Sequence, residues 1–136
     1  MNAIAMIESS NNPKAVGSSG EIGLYQISPI VLKHHNQWLK EHDEHLSISF
    51  VGTFPDNKAL FNPKVNEHIA NWYLGWLYDR CWTIKDTIIA YNWGIGNWRK
   101  GCFSSQGKYM CDYRGHLPKV TENYLKKYEL LTGEKL

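Results

Sequence analysis

The sequence lacks the long apolar runs, the basic tracts and the leader segment that would place it in several functional classes. No run approaches the roughly 18 consecutive apolar residues that a membrane-spanning helix needs. The first residues carry neither a basic region nor a secretory cleavage site, so we expect no signal peptide. Lys and Arg (15) nearly balance Asp and Glu (13). The net charge of +2 is spread along the sequence and does not form the basic cluster that is typical of nucleic-acid binding. These absences predict a soluble domain with no membrane span and no nucleic-acid partner.

Cysteine is also scarce, with three residues and hence an odd count. Cys102 and Cys111 bracket a polar loop that a disulfide could close, whereas Cys81 ends an aromatic stretch and is expected to be a buried free thiol. This pattern leaves the redox compartment open. Aromatic residues, by contrast, are abundant: six Trp and eight Tyr supply core area and flat surfaces for sugar rings. A chain of 136 residues with no repeat or linker predicts one domain over residues 1–136.

Apolar spacing predicts a mainly α-helical chain, and proline or a capping residue marks several helix starts. The expected helices cover residues 2–9, the segment from Ser28-Pro29, the segment from Asn62-Pro63, Ile84 to Trp93 after a Thr83 cap, and the segment from Pro118. Their expected buried stripes are Ile30, Val31, Trp38 and Leu39; Val65, Ile69, Trp72, Tyr73, Trp76 and Leu77; and Val120, Tyr124, Tyr128 and Leu131. Residues 94–117 are expected to form a loop, and a short β segment is expected around residues 46–54.

Glu8 stands at the end of a short apolar run, and Pro13 directs the chain out of the helix just beyond it. A carboxyl in the last turn of a largely buried helix lies near the negative end of the helix dipole, and both burial and the dipole disfavour its charged form. A general acid needs such an environment, because it must hold its proton near neutral pH. Taken alone, Glu8 fits an exposed helix position better. The residues around it reverse that preference.

Three sequence blocks support the catalytic interpretation of Glu8. The first comprises Glu8-Ser9, Asn12-Pro13, a glycine-rich run through Gly20, and Gly23-Leu24-Tyr25-Gln26-Ile27-Ser28-Pro29. The others are Ala90-Tyr91-Asn92-Trp93-Gly94-Ile95-Gly96 and Tyr124-Leu125. Together these blocks resemble the soluble lytic transglycosylase family, which is related to goose-type lysozyme. The resemblance implies a mainly α, lysozyme-like domain with a substrate cleft between the Glu8 helix and the segment carrying Tyr91 and Asn92.

The resemblance also assigns roles to single residues. It implies that Glu8 is the catalytic residue and that Gln26, eighteen positions later, hydrogen-bonds the substrate sugar. Tyr91 and Asn92 would form the floor of the saccharide cleft, with the Tyr91 hydroxyl near the acid. Tyr124 would be an aromatic wall near the same acid. No cofactor and no metal is implied.

The chain departs from the family pattern in the first block. Gly17 stands nine positions after the acid, where the family often has a serine, and we expect Ser18 or Ser19 to take over its contact with the substrate N-acetyl group. Tyr25 replaces the usual Met and is expected to reshape one substrate subsite. Glu21 adds a carboxylate thirteen positions after the acid, which leaves the outcome of the reaction open.

Two further patterns each allow two interpretations. Trp93 and Trp98 are candidate platforms for sugar rings, and packing in the core explains each equally well. The histidine-rich segment from His34 to His45 invites a metal site, but it lacks the two histidines four apart around a Glu that the zincin motif requires. A solvated helix end is the preferred interpretation of that segment.

The resemblance implies a reaction that needs one carboxyl group. Glu8 would act first as acid and then as base, cleaving the bond between N-acetylmuramic acid and N-acetylglucosamine and closing a 1,6-anhydro ring. A hydrolytic, goose-type lysozyme reaction is the nearest rival, with Glu21, Asp56 or another carboxylate as base. Two rivals of a different class are a peptidoglycan-binding module without activity and a structural virion component.

The expected partner is therefore a peptidoglycan glycan strand. The protein itself is expected to be a monomer. Action on the cell wall or in the periplasm, without a visible signal peptide, leaves three origins open: a phage virion component, a phage-released enzyme, or a domain of a longer exported protein.

Overall fold

The computed structural model describes residues 2–42, 54, 56–101 and 117–136. The helices are α1 (Asn2–Ser9), α2 (Pro29–His42), a 3-10 helix (Asn57–Phe61), α3 (Pro63–Cys81), α4 (Ile84–Trp93), α5 (Ile95–Gly101) and α6 (Lys119–Thr132). The described ranges contain no strand, only two isolated antiparallel bridges, Val16–Ile22 and Ile22–Ile27. The predicted mainly α-helical class is confirmed. The predicted β segment lies outside the described residues except for Phe54, and so do Cys102 and Cys111.

The chain divides into two compact units, Met1–Tyr73 and Leu74–Leu136, and each is described by itself. The buried apolar side chains of the first unit are Ile4, Ala5, Ile22, Tyr25, Ile27, Leu32, Leu60, Ile69 and Ala70. In the second unit α4 packs against α5 and α6. The buried apolar side chains there are Leu77, Cys81, Ile88, Ile89, Ala90, Trp98, Tyr124 and Leu125. None of the helices in the described ranges has the length and apolarity to cross a bilayer.

Local sequence signals place most helix ends correctly. The Thr83 hydroxyl accepts a hydrogen bond from the Asp86 amide at 3.0 Å, so the predicted cap of α4 is confirmed. The Ser28 hydroxyl accepts one from the Val31 amide at 3.3 Å, with proline at the first helical position of α2. Cys81 is a buried thiol, as predicted, and burial raises its pKa to about 11.

Three sequence expectations are wrong. Residues 95–101, expected as part of a loop over residues 94–117, form α5. Ile30 is 78 % exposed, and the buried residues of α2 are Leu32 and His35. Val120 and Leu131 of α6 are likewise exposed. The buried residues of α6 are Thr121, Tyr124 and Leu125. In both helices a polar residue belongs to the buried face, His35 in α2 and Thr121 in α6. A prediction based on apolar positions alone therefore misplaced part of the buried face of each helix.

His35 belongs to an aromatic cluster and not to a solvated helix end. It is 1 % exposed, stacks on Phe54, and meets Trp72 and His68 edge-on with ring centroids 5.1 and 5.7 Å apart. Burial lowers the pKa of His35, because the charged imidazolium would lose its hydration. The solvated interpretation is therefore wrong for His35, although His42 is exposed.

Candidate active site

Glu8 lies in the last turn of α1 and is half-buried. Ile4 and Ala5 bury one face of this short helix. The helix ends through two consecutive left-handed residues, Ser10 (φ 54°) and Asn11 (φ 61°). The Ser10 amide still donates to the Met6 carbonyl at 2.9 Å. The abrupt end fixes Glu8 where the chain leaves the helix.

Ser9 links the end of α1 to the α1–α2 loop, residues 10–28. Its hydroxyl lies 2.8 Å from the Leu24 carbonyl and 3.1 Å from the Ala5 carbonyl, and a hydroxyl has one proton to donate. The shorter contact is the stronger hydrogen bond and joins residues fifteen apart. The same oxygen accepts from the Asn12 amide at 3.1 Å. Ser9 thus ties the residue after Glu8 to the Gly23-Leu24-Tyr25-Gln26 segment.

The α1–α2 loop approaches α3 closely at Gly23. Its φ is +80°, and a Cβ there would lie 2.6 Å from the Leu60 carbonyl oxygen and closer still to the Asn66 amide. Asn66 is fully buried and makes three hydrogen bonds. It donates to the carbonyls of Ile22 (2.8 Å) and Leu60 (2.9 Å) and accepts from the Tyr25 amide (2.9 Å). One side chain of α3 therefore holds the backbone on both sides of Gly23.

Gln26 adopts a left-handed backbone (φ 49°), which is uncommon for a residue other than glycine. Its side-chain nitrogen donates to the carbonyls of Gly23 (2.9 Å) and Ala15 (3.3 Å). These two bonds assign the nitrogen and direct the amide oxygen toward Gly17. The Glu21 carboxylate lies at the same place and accepts from the Ser19 amide at 3.3 Å.

The other predicted residues of this loop differ in exposure. Ser18 and Ser19 lie in an exposed turn. Tyr25 is 2 % exposed, and burial, together with the charge of Glu67, raises the pKa of its hydroxyl. A side chain so buried would shape a subsite through packing. The sugar contacts of Ser18, Ser19 and Tyr25 stay predictions.

The second unit carries the remaining candidates. Tyr91 and Asn92 are half-buried in the last turn of α4, and the Asn92 side-chain oxygen accepts from the Thr121 hydroxyl of α6 at 2.8 Å. Tyr124, one turn after Thr121, is 6 % exposed.

Trp98 is 2 % exposed, and its indole nitrogen lies 3.3 Å from an Asp86 carboxylate oxygen. Trp98 is thus a core residue and not a sugar platform, whereas Trp93 is half-buried.

Residues 1–109 match the sequence model of the family described as "Transglycosylase SLT domain". The chain belongs to this family. The predicted resemblance is therefore confirmed, and the matched range includes Glu8, Gln26, Tyr91 and Asn92. Tyr124 lies outside it. No curated protein matches the sequence of this SLT domain.

Two solved structures resemble the SLT domain. The 70-kDa soluble lytic transglycosylase of Escherichia coli has a TM-score of 0.62 and 27% identity, covering 98% of this chain and 22% of that chain. The complex of the 70-kDa soluble lytic transglycosylase with bulgecin A has a TM-score of 0.61 and 26% identity, with the same coverage. The SLT domain thus spans about a fifth of the length of these relatives. These likenesses confirm the predicted lysozyme-like, helical fold.

Sequence reasoning missed the residues that support the SLT domain's candidate site. Asn66 was not predicted to have any role, because its partners lie up to 44 positions away and leave no periodic signal. Thr121 was missed for the same reason. A polar residue inside an otherwise apolar helix stripe, such as Asn66 three positions before Ile69, is the signal that could have found it.

Proposed function

We propose that this SLT domain is a peptidoglycan lytic transglycosylase, which cleaves the β-1,4 bond between N-acetylmuramic acid and N-acetylglucosamine without water. The observation that carries the proposal is Glu8 in the last turn of α1, beside Ser9, whose hydroxyl donates to Leu24 of the Gly-Leu-Tyr-Gln segment. Membership of the SLT family and 27% identity to a lytic transglycosylase support the same activity.

One carboxyl group is enough for this reaction. Protonated Glu8 donates its proton to the glycosidic oxygen as the bond from that oxygen to the muramic C1 breaks, and the N-acetylglucosamine leaves with a free 4-hydroxyl. The acetamido group of the muramic residue stabilises the oxocarbenium-like C1. Ionised Glu8 then takes the proton of the 6-hydroxyl, whose oxygen attacks C1 and closes the 1,6-anhydro ring. Glu8 ends protonated, as it began.

The other candidates would bind the glycan. Gln26 hydrogen-bonds a sugar, and its two bonds to loop carbonyls orient its amide beforehand. Tyr91 and Asn92 form part of the cleft floor and Tyr124 part of its wall. The substrate is a peptidoglycan glycan strand, the protein acts as a monomer on the cell wall, and no cofactor takes part.

Glu8→Gln tests the role of the acid, because it keeps size and polarity but removes the transferable proton. We expect release of wall fragments to fall by at least the roughly 100- to 10,000-fold that general acid catalysis supplies, while wall binding persists. Glu41→Gln, the same exchange at an exposed position of α2, is the matched control. Tyr91→Phe and Gln26→Ala should lower the rate less, because each removes positioning and not the proton.

The mass of the released muropeptides tests the reaction type. Anhydro products lack one water relative to hydrolytic products. Reducing ends would identify a goose-type lysozyme that uses a second carboxylate, with Glu21 or Asp56 as the candidate base. If nothing is released and Glu8→Gln changes nothing, the chain is a binding module or a structural virion component.

A further inference from the structure

Gly17 has no side chain, and the space that a side chain would take is filled by two others. A Cβ on Gly17 would lie 2.7 Å from the Gln26 amide oxygen and in closer contact with a carboxylate oxygen of Glu21. Neither contact involves rigid backbone, so both oxygens come from the far ends of side chains. The Gly17 amide donates to the Glu21 carbonyl at 2.8 Å, which fixes the two residues across the same turn. Gly17 and Glu21 are therefore complementary in volume.

The two oxygens are both hydrogen-bond acceptors. The Gln26 nitrogen is held by the carbonyls of Ala15 and Gly23, so the amide cannot turn over to present a donor without losing both bonds. The Glu21 oxygen accepts from the Ser19 amide at 3.3 Å, a long contact that leaves acceptor capacity. Two acceptors that lie side by side bind a shared donor better than either does alone, and a hydrogen bond to a charged carboxylate is stronger than one to a neutral group.

We propose that Glu21 and Gln26, whose oxygens both pack against Gly17, form a two-acceptor subsite that binds a hydrogen-bond donor of the glycan: a hydroxyl or an acetamido N–H. Glu21 is then a specificity-determining residue of this subsite, in place of Ser18 and Ser19. This inference rests on the proposed function for its ligand. It assigns Glu21 to substrate binding and not to the role of a hydrolytic base.

Binding should be measured without cleavage, by titrating the Glu8→Gln chain with a GlcNAc–MurNAc tetrasaccharide. In that background we expect Glu21→Gln to raise Kd by about 10- to 100-fold, the range that corresponds to one hydrogen bond to a charged group. Glu41→Gln is the matched control, because its carboxylate is exposed on α2. An unchanged Kd for Glu21→Gln would overturn the proposal, as would a loss of affinity in Ser18→Ala or Ser19→Ala without one in Glu21→Gln.

A double-mutant cycle tests the part played by Gly17. Gly17→Ala should displace the Glu21 carboxylate and weaken binding, and it should weaken binding less when Glu21→Ala is already present, because only the 2.7 Å contact with the Gln26 oxygen then remains. Gly17→Ser combined with Glu21→Ala should recover part of the affinity, because a hydroxyl then stands where the carboxylate was. Independent effects of the two positions would contradict the shared space.

Kinetics of the active chain separate a binding role of Glu21 from a role as base. Glu21→Gln should raise KM more than it lowers kcat and leave the product type unchanged. A fall in kcat alone, or a change in product type, would make Glu21 a base and overturn the binding role. If the unsubstituted chain releases muropeptides and Glu21→Gln affects neither KM nor Kd, this inference alone fails. If the chain neither cleaves nor binds glycan, the proposed function fails with it.

Discussion

The two units hold their candidate site residues by different physical means. In the first unit the α1–α2 loop has little regular structure, and side chains bond directly to its backbone: Ser9 to Leu24, Gln26 to Ala15 and Gly23, and Asn66 to Ile22 and Tyr25. In the second unit Tyr91 and Asn92 lie on α4, whose own backbone bonds and packing against α5 and α6 position them.

The backbone angles show the same contrast. Five loop residues have a left-handed backbone: Ser10, Asn11, Gly20, Gly23 and Gln26. The described residues of the second unit include three with positive φ, Trp82, Gly94 and Gly133, and each of these follows the end of a helix. The conformation of such a loop depends on a few hydrogen bonds and on a few residues that tolerate a positive φ, whereas packed helices are stabilised by many contacts. Substitutions should therefore be costly at few places in the first unit and moderately costly at many places in the second.

Gly23→Ala should have the largest effect. An added Cβ meets the Leu60 carbonyl and the Asn66 amide, and φ is +80°, so strain and overpacking together should cost about 3 kcal/mol of unfolding free energy. Gly94→Ala in the second unit also meets a positive φ (+98°, with ψ 140°), a backbone region that few residues other than glycine adopt, but the nearest atom to its added Cβ is 3.8 Å away, so strain alone should cost about 2 kcal/mol. Urea unfolding followed by circular dichroism measures both, and equal costs would remove the contrast.

Asn66→Ala should come next, at about 3 kcal/mol or slightly less. It leaves the Tyr25 amide and the carbonyls of Ile22 and Leu60 without their partner in a buried place. Thr121→Val is the comparison in the second unit, because it removes one buried hydrogen bond, to Asn92, and about 1 kcal/mol is expected. A Thr121→Val cost as large as that of Asn66→Ala would show that the second unit depends on single contacts as well.

The same contrast explains how much the sequence could predict. The bounds of α1 and α4 were predicted correctly, because apolar spacing, Pro13 and the Thr83 cap act over a few residues. The role of Gln26 in sugar binding rests on its spacing from Glu8 in the family pattern and stays a prediction. Gly17 and Glu21 were each noticed as departures, but nothing in the sequence says that one fills the space of the other. Such pairings are tertiary and leave no local signal.

Acidification should weaken the first unit through His35. Burial lowers the pKa of His35 and of nearby His68, so the folded state resists protonation while the unfolded histidines, with an ordinary pKa of 6.5, accept protons. The unfolding free energy should be constant above pH 6.5 and fall as the pH drops below it, until the lowered folded pKa values are reached. His34 and Asn36 also face the ring, and Asn36 partly opposes the shift.

Urea midpoints measured between pH 7.5 and pH 5 would reveal this slope. His35→Phe should reduce it, because the aromatic contacts with Trp72 persist without a titrating group. His42→Gln, at an exposed position of the same helix, is the matched control. An unchanged slope in His35→Phe would mean that other groups cause the pH dependence.

The smallest effect is expected at a helix cap. Thr83→Ala should cost about 1 kcal/mol, because the Thr83 hydroxyl accepts from the Asp86 amide at 3.0 Å and lies 2.8 Å from the Asp86 carboxylate. Ser28→Ala in the first unit should cost less, since its cap contact is longer, at 3.3 Å, and Pro29 already favours the first turn of α2. At the helix caps the second unit is therefore expected to lose more stability than the first, which is the opposite of what is expected for Gly23 and Asn66. If Ser28→Ala proves the costlier of the two, the first unit is the more fragile even at its helix ends, and the contrast concerns the whole unit and not the α1–α2 loop alone.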